Sequence, residues 1–366
     1  MSVDPVSFLK EILGMYSPSK MEGELTSFLL DKMRDFGIST KVDRVGNVVG
    51  EIGDGDPMLL LCGHMDTVNG FLDVVEKDGK IFGRGAVDAK SSLAAMILAA
   101  ARLAEEELAH KVMIAGVVDE EGDSIGMRNL LKNGLSVRYA IFGEPSKNNH
   151  VVVGYRGSVT FGIECEAPPG HVAAPSTYVS AIEKSLDLWT KIKKGLSIRG
   201  KSLFYSVTPS LMLIRGRAGG AMTGERWCEM AVNARFPLGM RAASIDEIIE
   251  DLISQFQLDN PEVKVRKRLL HSFEPIKCRR SSEVARALVR AITDVTGSTP
   301  KTTIKTGSSD MNLLSGSEIQ AVSFGPGDPI LEHTDDEWIY VNEYLQAIRI
   351  YKTTIEKLFD LVGSEG

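Results

Sequence analysis

Apolar positions recur at two different spacings, and the spacing changes along the chain. Residues 4–16 and 21–36 carry apolar side chains every three to four positions, which predicts two amphipathic helices. Ser17-Pro18-Ser19 stands between them as a stop and a new start. Positions 48–52 and 58–62 read as strands, the second almost wholly apolar, as a central buried strand is. A helix rich in Ala and Leu is expected from Asp88 to about Glu107. A buried strand over 111–119, a helix over 124–133 and a strand over 139–143 follow. This alternation predicts an α/β architecture, a mixed or parallel sheet between helices.

Beyond Gly157 the rhythm differs. Strands are expected at 159–166, near 211–214, at 230–236 and at 263–270, with helices over 178–194 and 245–256. That order, close to ββαββαβ, predicts a separate small α+β domain. From Ser281 the alternation returns: a helix to about Val295, strands near Ile304 and over 319–324, and a closing helix over 341–361. The reading is one large domain, 1–157 and 274–366, interrupted by a smaller one over 158–273.

Composition narrows the class. The 366 residues are 43% hydrophobic and 25% charged, which is ordinary globular usage. A net charge of -7 argues against nucleic acid as a bulk partner. No apolar run reaches the ~18–20 residues of a membrane helix, and the N-terminus lacks the pattern of a signal peptide. Four cysteines without a CxxC pair argue against thiolate zinc or a disulfide framework and fit a cytoplasmic protein. Charge is uneven: residues 158–273 hold 15 Lys and Arg against 12 Asp and Glu, the remainder 27 against 37. The densest basic runs, 191–194 and 264–268, are either chance or a face for an acidic partner.

Several apparent strands end in residues that could bind a metal. The strand over 58–62 runs into Gly63-His64-Met65-Asp66. His64 and Asp66 project to one side of an extended chain, so Asp66 can accept the second ring N–H of His64. Asp88 precedes the long helix, where it also reads as an N-cap. The segment GRGAVDAK fits neither a phosphate-binding loop nor a dinucleotide fingerprint, because the required glycines are Ala89 and Asp88. The buried strand over 111–118 ends in Asp119-Glu120-Glu121, like charges that a cation would reconcile. Glu144 follows the strand over 139–143, and His333 follows 323–327. Five nitrogen and oxygen ligands at equivalent ends of one sheet suit two zinc-like ions sharing a carboxylate. His110, His150 and His271 receive no role.

The motifs GHMDTV, GRGAVDAK, VVDEEG, FGEPS, GHVAAP, TGSSDMN and GPGDPILEHTDDE, in this order over nearly the whole chain, resemble the dinuclear-zinc amidohydrolases. That family includes acetylornithine deacetylases, succinyl-diaminopimelate desuccinylases and glutamate carboxypeptidases. YSPSKMEGE and VVVGYRGS add similarity to the branch that releases lysine or ornithine from an amino-group carrier protein. The resemblance implies a linear-amide hydrolase with two divalent ions, zinc or cobalt. His64 and Glu144 would hold one ion, Glu121 and His333 the other, with Asp88 bridging and followed by a cis peptide. Asp66 would orient His64, and Glu120 would be the general base. The insert would act as lid and dimerisation domain of a homodimer. His171 would serve the neighbouring subunit's site as an oxyanion donor, and Arg235 would bind the substrate carboxylate. The substrate would be an aminoacyl carrier protein, or a small N-acylated amino acid if the protein is a deacetylase or dipeptidase. Asp310, Asp335 and Asp336 are candidates for a substrate ammonium. Three departures from the family pattern stand out: Asn69, Ser91, and Met222-Thr223 where an Asn is usual. A non-catalytic binding module is disfavoured by the presence of Glu120.

Overall fold

The computed structural model describes residues 3–363 apart from 169, 171–177 and 218–225. The chain begins with α1 (Pro5–Gly14), α2 (Gly23–Asp35), β1 (Ser39–Val42), β2 (Val48–Ile52), β3 (Pro57–His64), β4 (Val75–Lys77) and β5 (Lys80–Phe82). It continues with α3 (Lys90–Ala101), β6 (Lys111–Val117), α4 (Ile125–Lys132), β7 (Tyr139–Phe142) and β8 (His150–Tyr155). Then come β9 (Gly157–Glu166), α5 (Ala181–Leu196), β10 (Thr208–Arg217), β11 (Trp227–Phe236), α6 (Ala242–Asp259) and β12 (Lys264–Phe273). It closes with β13 (Ile276–Lys277), α7 (Glu283–Thr296), β14 (Lys301–Lys305), β15 (Gln320–Ser323), β16 (Trp338–Tyr340) and α8 (Val341–Gly363).

Two compact units result. One holds residues 1–154, 277–303 and 309–366; the other holds 155–276 and 304–308. The expected insert, 158–273, lies inside the second, which also takes in the five residues 304–308.

The first unit is built on a mixed sheet ordered β1-β2-β6-β3-β7-β15-β8-β13, with β14 also paired to β8. β3 runs parallel to β6 and to β7, and β15 parallel to β7. Four adjacent strands therefore end on the same edge of the sheet. From β3 the chain goes first to β6 on one side, then to β7 on the other, and such a reversal opens a crevice at the carboxyl ends. Leu59, Leu60, Leu61 and Cys62 of β3 are buried, as the apolar run requires. Next to them, α3 is buried on nearly every side, which explains why its sequence is apolar all round rather than amphipathic. A Cβ on Gly63 would lie 3.0 Å from the Leu93 Cβ, so glycine is what lets β3 lie this close to α3.

The α3 helix is shorter than its sequence predicts. It starts after Asp88, so Asp88 is no N-cap, and it ends before Glu105-Glu106-Glu107. Three glutamates at a helix C-terminus oppose its dipole. The buried Lys90 reaches away from the helix: its Nζ donates to the carbonyls of Ile12 (3.3 Å) and Met15 (2.7 Å), at the end of α1.

The second unit is an antiparallel sheet ordered β10-β11-β9-β12. Val159, Phe161, Ile163, Met230, Val232 and Ala234 of its strands share a core with Leu188, Ile192, Ile245 and Ile249 of α5 and α6. The observed order is βαββαβ: the four strands and two helices expected by range are present, without the extra strand of the ββαββαβ pattern. Four residues of the basic runs pair with acids of the same unit. Arg266 pairs with Glu166 at 2.6 Å, Lys267 with Asp246 at 2.5 Å, and Arg268 with Glu229 at 2.8 Å. Lys191 pairs with Asp259 at 3.1 Å. Among the described residues no helix is long and apolar enough to cross a membrane.

All four cysteines are free and buried. Burial pushes the Cys165 thiol up to about 11, and those of Cys62, Cys228 and Cys278 up as well. Only the thiolate reacts. A disulfide-exchange reagent at pH 8 is therefore expected to label none of the four in the native protein and all four after denaturation. Rapid native labelling of any one would contradict this packing.

Candidate metal centre

The parallel strands deliver the candidate ligands to one edge. β3 ends at His64 itself. β6 leads through a left-handed Asp119 (φ 61°) into Glu120 and Glu121. β7 leads into Glu144, and β15 leads through Gly325 and Gly327 to His333, which is also left-handed (φ 61°). Asp88 is placed by the loop between β5 and α3, and the Asp88–Ala89 peptide is cis.

His64 is buried, and its Nδ1 lies 2.8 Å from the backbone carbonyl of Asp66. A carbonyl only accepts, so Nδ1 carries the proton and Nε2 presents its lone pair. That lone pair faces Asp88 Oδ1 at 3.4 Å. Two acceptors facing each other are reconciled only by a cation, a proton or a metal ion. The other oxygen of Asp88, Oδ2, is 2.9 Å from His333 Nε2, and Glu121 Oε1 is 2.8 Å from the same nitrogen. Asp88 thus stands between two histidines with one oxygen toward each. The ligand atoms of His64, Asp88 and Glu121 all lie within 4.8 Å of one another.

Buried carboxylates crowd this edge. Burial raises the Glu120 carboxyl well above the usual range, and the charge of Glu144 raises it further. Burial likewise raises Glu121. Burial would also raise Asp88, but the contacts from His333 and His64 override it and hold the group low. The same contacts, Asp88 first and then Glu121, lift His333 to about 10. Nitrogen and oxygen donors with surplus buried negative charge fit divalent, zinc-like ions.

Asp66 does more than the sequence suggests. Its carboxylate stays 3.5 Å from His64 Nδ1, and the close bond to the ring comes from its own backbone carbonyl. The carboxylate also accepts the amides of Glu120 (Oδ1, 3.0 Å) and Glu121 (Oδ2, 3.0 Å) and the Ser19 hydroxyl at 2.7 Å. It therefore holds the backbone that carries both glutamates. Glu120 is outside the three-ligand group, and its Oε1 accepts the Asp310 amide at 3.2 Å.

The other candidates separate. Asp310 is buried, and its carboxyl is pushed up to about 6 by that burial. Asp335 and Asp336 are exposed. In the second unit, Arg235 on β11 donates from Nη1 to Ser308 Oγ at 3.0 Å. Among the described residues no carboxylate pairs with it. His171 and Met222-Thr223 lie outside the described residues.

Sequence reasoning missed three residues here. Glu22 Oε1 accepts the Asp119 amide at 2.9 Å and so holds the turn before Glu120. Glu337 and Arg84 are buried together beside the Asp88 loop. All three lie within quoted motifs, YSPSKMEGE, GRGAVDAK and GPGDPILEHTDDE, but no periodicity shows what they hold.

The family model described as peptidase family M20/M25/M40 matches residues 60–357. A Pyrococcus furiosus protein provisionally named [LysW]-lysine/[LysW]-ornithine hydrolase is 35% identical, over 97% of each chain. The [LysW]-lysine/[LysW]-ornithine hydrolase of Saccharolobus solfataricus is 31% identical, over 97% of this chain and 96% of that one. In fold, the chain is similar to an M20 family metallo-carboxypeptidase from Sulfolobus solfataricus, with a TM-score of 0.83 and 17% identity, covering 98% and 100% of the two chains.

Proposed function

The chain belongs to peptidase family M20/M25/M40, and on that premise we propose that it releases lysine or ornithine from an amino-group carrier protein by hydrolysing an amide bond. The observation that carries the chemistry is Asp88 set between His64 and His333, with Glu121 against His333 and Glu120 next to Glu121 in the chain. The carrier-protein substrate is supported by relatives of that name aligned along nearly the whole chain.

In this reading His64 and Glu144 would hold one ion and Glu121 and His333 the other, with Asp88 shared between them. Two divalent ions, zinc or cobalt, would supply a water of lowered pKa and polarise the scissile carbonyl. The residues do the rest. Glu120 takes the proton of the attacking water and returns it to the leaving amine as the C–N bond breaks. Asp66 fixes the backbone on which Glu120 and Glu121 take different jobs. His171 donates to the developing oxyanion of a neighbouring subunit's site.

Arg235 binds the substrate carboxylate. A half-buried guanidinium without a carboxylate partner is a standing site for one. Losing one member of a buried, hydrogen-bonded charge pair costs about 2 kcal/mol or more. Arg235→Met should therefore raise KM by roughly 30-fold or more and change kcat less. An unchanged KM would remove Arg235 from the substrate site.

A homodimer formed through the insert completes the reading. β10 is an outer strand of its sheet, and Met212, Leu213 and Ile214 on it are exposed. An apolar, unpaired sheet edge is one that a second copy covers. The enzyme is taken to work in the cytoplasm.

The substrate is tested by turnover of carrier-linked lysine, carrier-linked ornithine, N-acetyl-lysine, N-acetyl-ornithine and a dipeptide. A carrier-linked substrate should win in kcat/KM by on the order of 100-fold, because binding energy from the remote carrier is used in the transition state. Faster turnover of a free N-acetyl amino acid or a dipeptide would replace the carrier reading with a small-molecule one.

A further inference from the structure

We infer that Glu337 is a positioning residue that sets Asp88 and His333 in their places before any metal binds. The inference rests on the reading of those two residues as ligands.

The loop from Gly83 to Asp88 sends most of its amides to this one residue. The Gly83 amide donates to the Glu337 backbone carbonyl at 3.2 Å. The Gly85 amide donates to Oε2 at 3.0 Å, and the Val87 and Asp88 amides to Oε1 at 2.8 and 3.0 Å. The fourth donor to the carboxylate is Arg84 Nη1, 3.0 Å from Oε2. A carboxylate has about four acceptor sites, and here all four are filled. Gly83 (φ 153°) and Gly85 (φ 86°) give the backbone the turn that makes the amides converge. The meeting is prepared by strand pairing: β16 is antiparallel to β5 with Trp338 opposite Phe82, which puts Glu337 against Gly83.

Arg84 extends the same clamp to the second histidine. Its Nη1 also donates to the carbonyl of Thr334, next to His333, at 2.8 Å, and its Nε to that of Gly70 at 2.9 Å. Glu337 and Arg84 are both buried, whereas Asp335 and Asp336 just before them are exposed. One ion pair thus joins the Asp88 loop to the His333 loop.

The carboxylate is required by its chemistry. A glutamine has one oxygen and one NH2, and in either orientation the NH2 meets two donors. Glu337→Gln therefore leaves two donors of the clamp unpaired while preserving shape. Partners that orient ligands in this way typically change metal affinity by about 10–100-fold when altered.

Two measurements test the inference. The first is amide hydrogen exchange of the wild-type, metal-free protein, in which Gly85, Val87 and Asp88 should already be protected. The second is competition for Co2+ between a chromogenic chelator and wild-type or Glu337→Gln protein, scaled to the folded fraction. The variant should bind roughly 10–100-fold more weakly, whereas a merely structural role would lower Tm and leave affinity unchanged. Fast exchange at these amides in the metal-free protein, or wild-type affinity in the variant, overturns the inference. If the variant does not fold, the exchange measurement decides alone. If the wild-type protein itself binds no divalent ion, the metal reading fails and the inference fails with it. If it binds and the variant binds equally, only the positioning role fails.

Discussion

Replacing Glu120 with glutamine lowers kcat by roughly 10²–10⁴, the usual contribution of a positioned acid–base group, while leaving the bound metal in place. Glu120 is next in sequence to the candidate ligand Glu121, which belongs to the group of His64, Asp88 and Glu121. Its amide is held by Asp66 Oδ1 and its Oε1 by the Asp310 amide. Glutamine keeps both bonds, since its own Oε1 can still accept, and loses only the ability to carry a proton. The metal-free variant should also unfold at a higher temperature than the wild type. Burial and the neighbouring Glu144 make the Glu120 charge costly in the native state, and glutamine removes that charge without removing volume. The measurements are metal content, a thermal melt of the apoprotein and kcat. Full turnover in a metal-loaded Glu120→Gln protein would end the assignment of Glu120 as base.

Replacing Asp88 with alanine should remove both ions and lower kcat/KM by on the order of 10³-fold or more, the value of several kcal/mol of charge stabilisation. Asp88 is the one candidate that faces both histidines, His64 through Oδ1 and His333 through Oδ2. Its loss leaves both ring nitrogens without that carboxylate. Glu121→Ala is the control, because Glu121 touches His333 and its loss should empty one position only. Metal analysis per chain separates the two outcomes. A thermal melt gives a second reading: added metal stabilises whatever binds it by mass action, so the wild-type Tm should rise with metal and that of Asp88→Ala should not. An Asp88→Ala protein that retained two ions would show that Asp88 does not bridge.

The metal edge was legible because its residues follow buried strands. His64, Glu121 and Glu144 each sit at or just past an apolar run, and such runs can be read without knowing what they pack against. Asp88 was visible as an acid before a long helix, and the cis peptide that the resemblance implied after it is present; that Asp88 stands outside α3 rather than capping it was not legible. The strands that sequence missed are short or lack a repeating pattern: β1, β4, β5 and β16 have three or four residues each, and β8 is buried along almost all its length. A run that short carries too few positions for a period to emerge.

Sequence alone singled out the candidate ligands that the fold brings to one edge, since residue type and the end of an apolar run suffice for that. It also determined the α/β class, because burial on both faces of a central sheet forces long apolar runs. Tertiary structure decided how these groups are held. The Asp66 carboxylate serves the amides of Glu120 and Glu121, 54 and 55 residues away, as well as facing the histidine two residues before it at 3.5 Å. The Glu337 carboxylate closes on a loop some 250 residues earlier. Arg266, Lys267 and Arg268 of the insert pair with acids on other strands and a helix. Each of these depends on which distant backbone amide or charge reaches the group once strands pair, and hydrogen bonds of that kind leave no periodic trace along the chain.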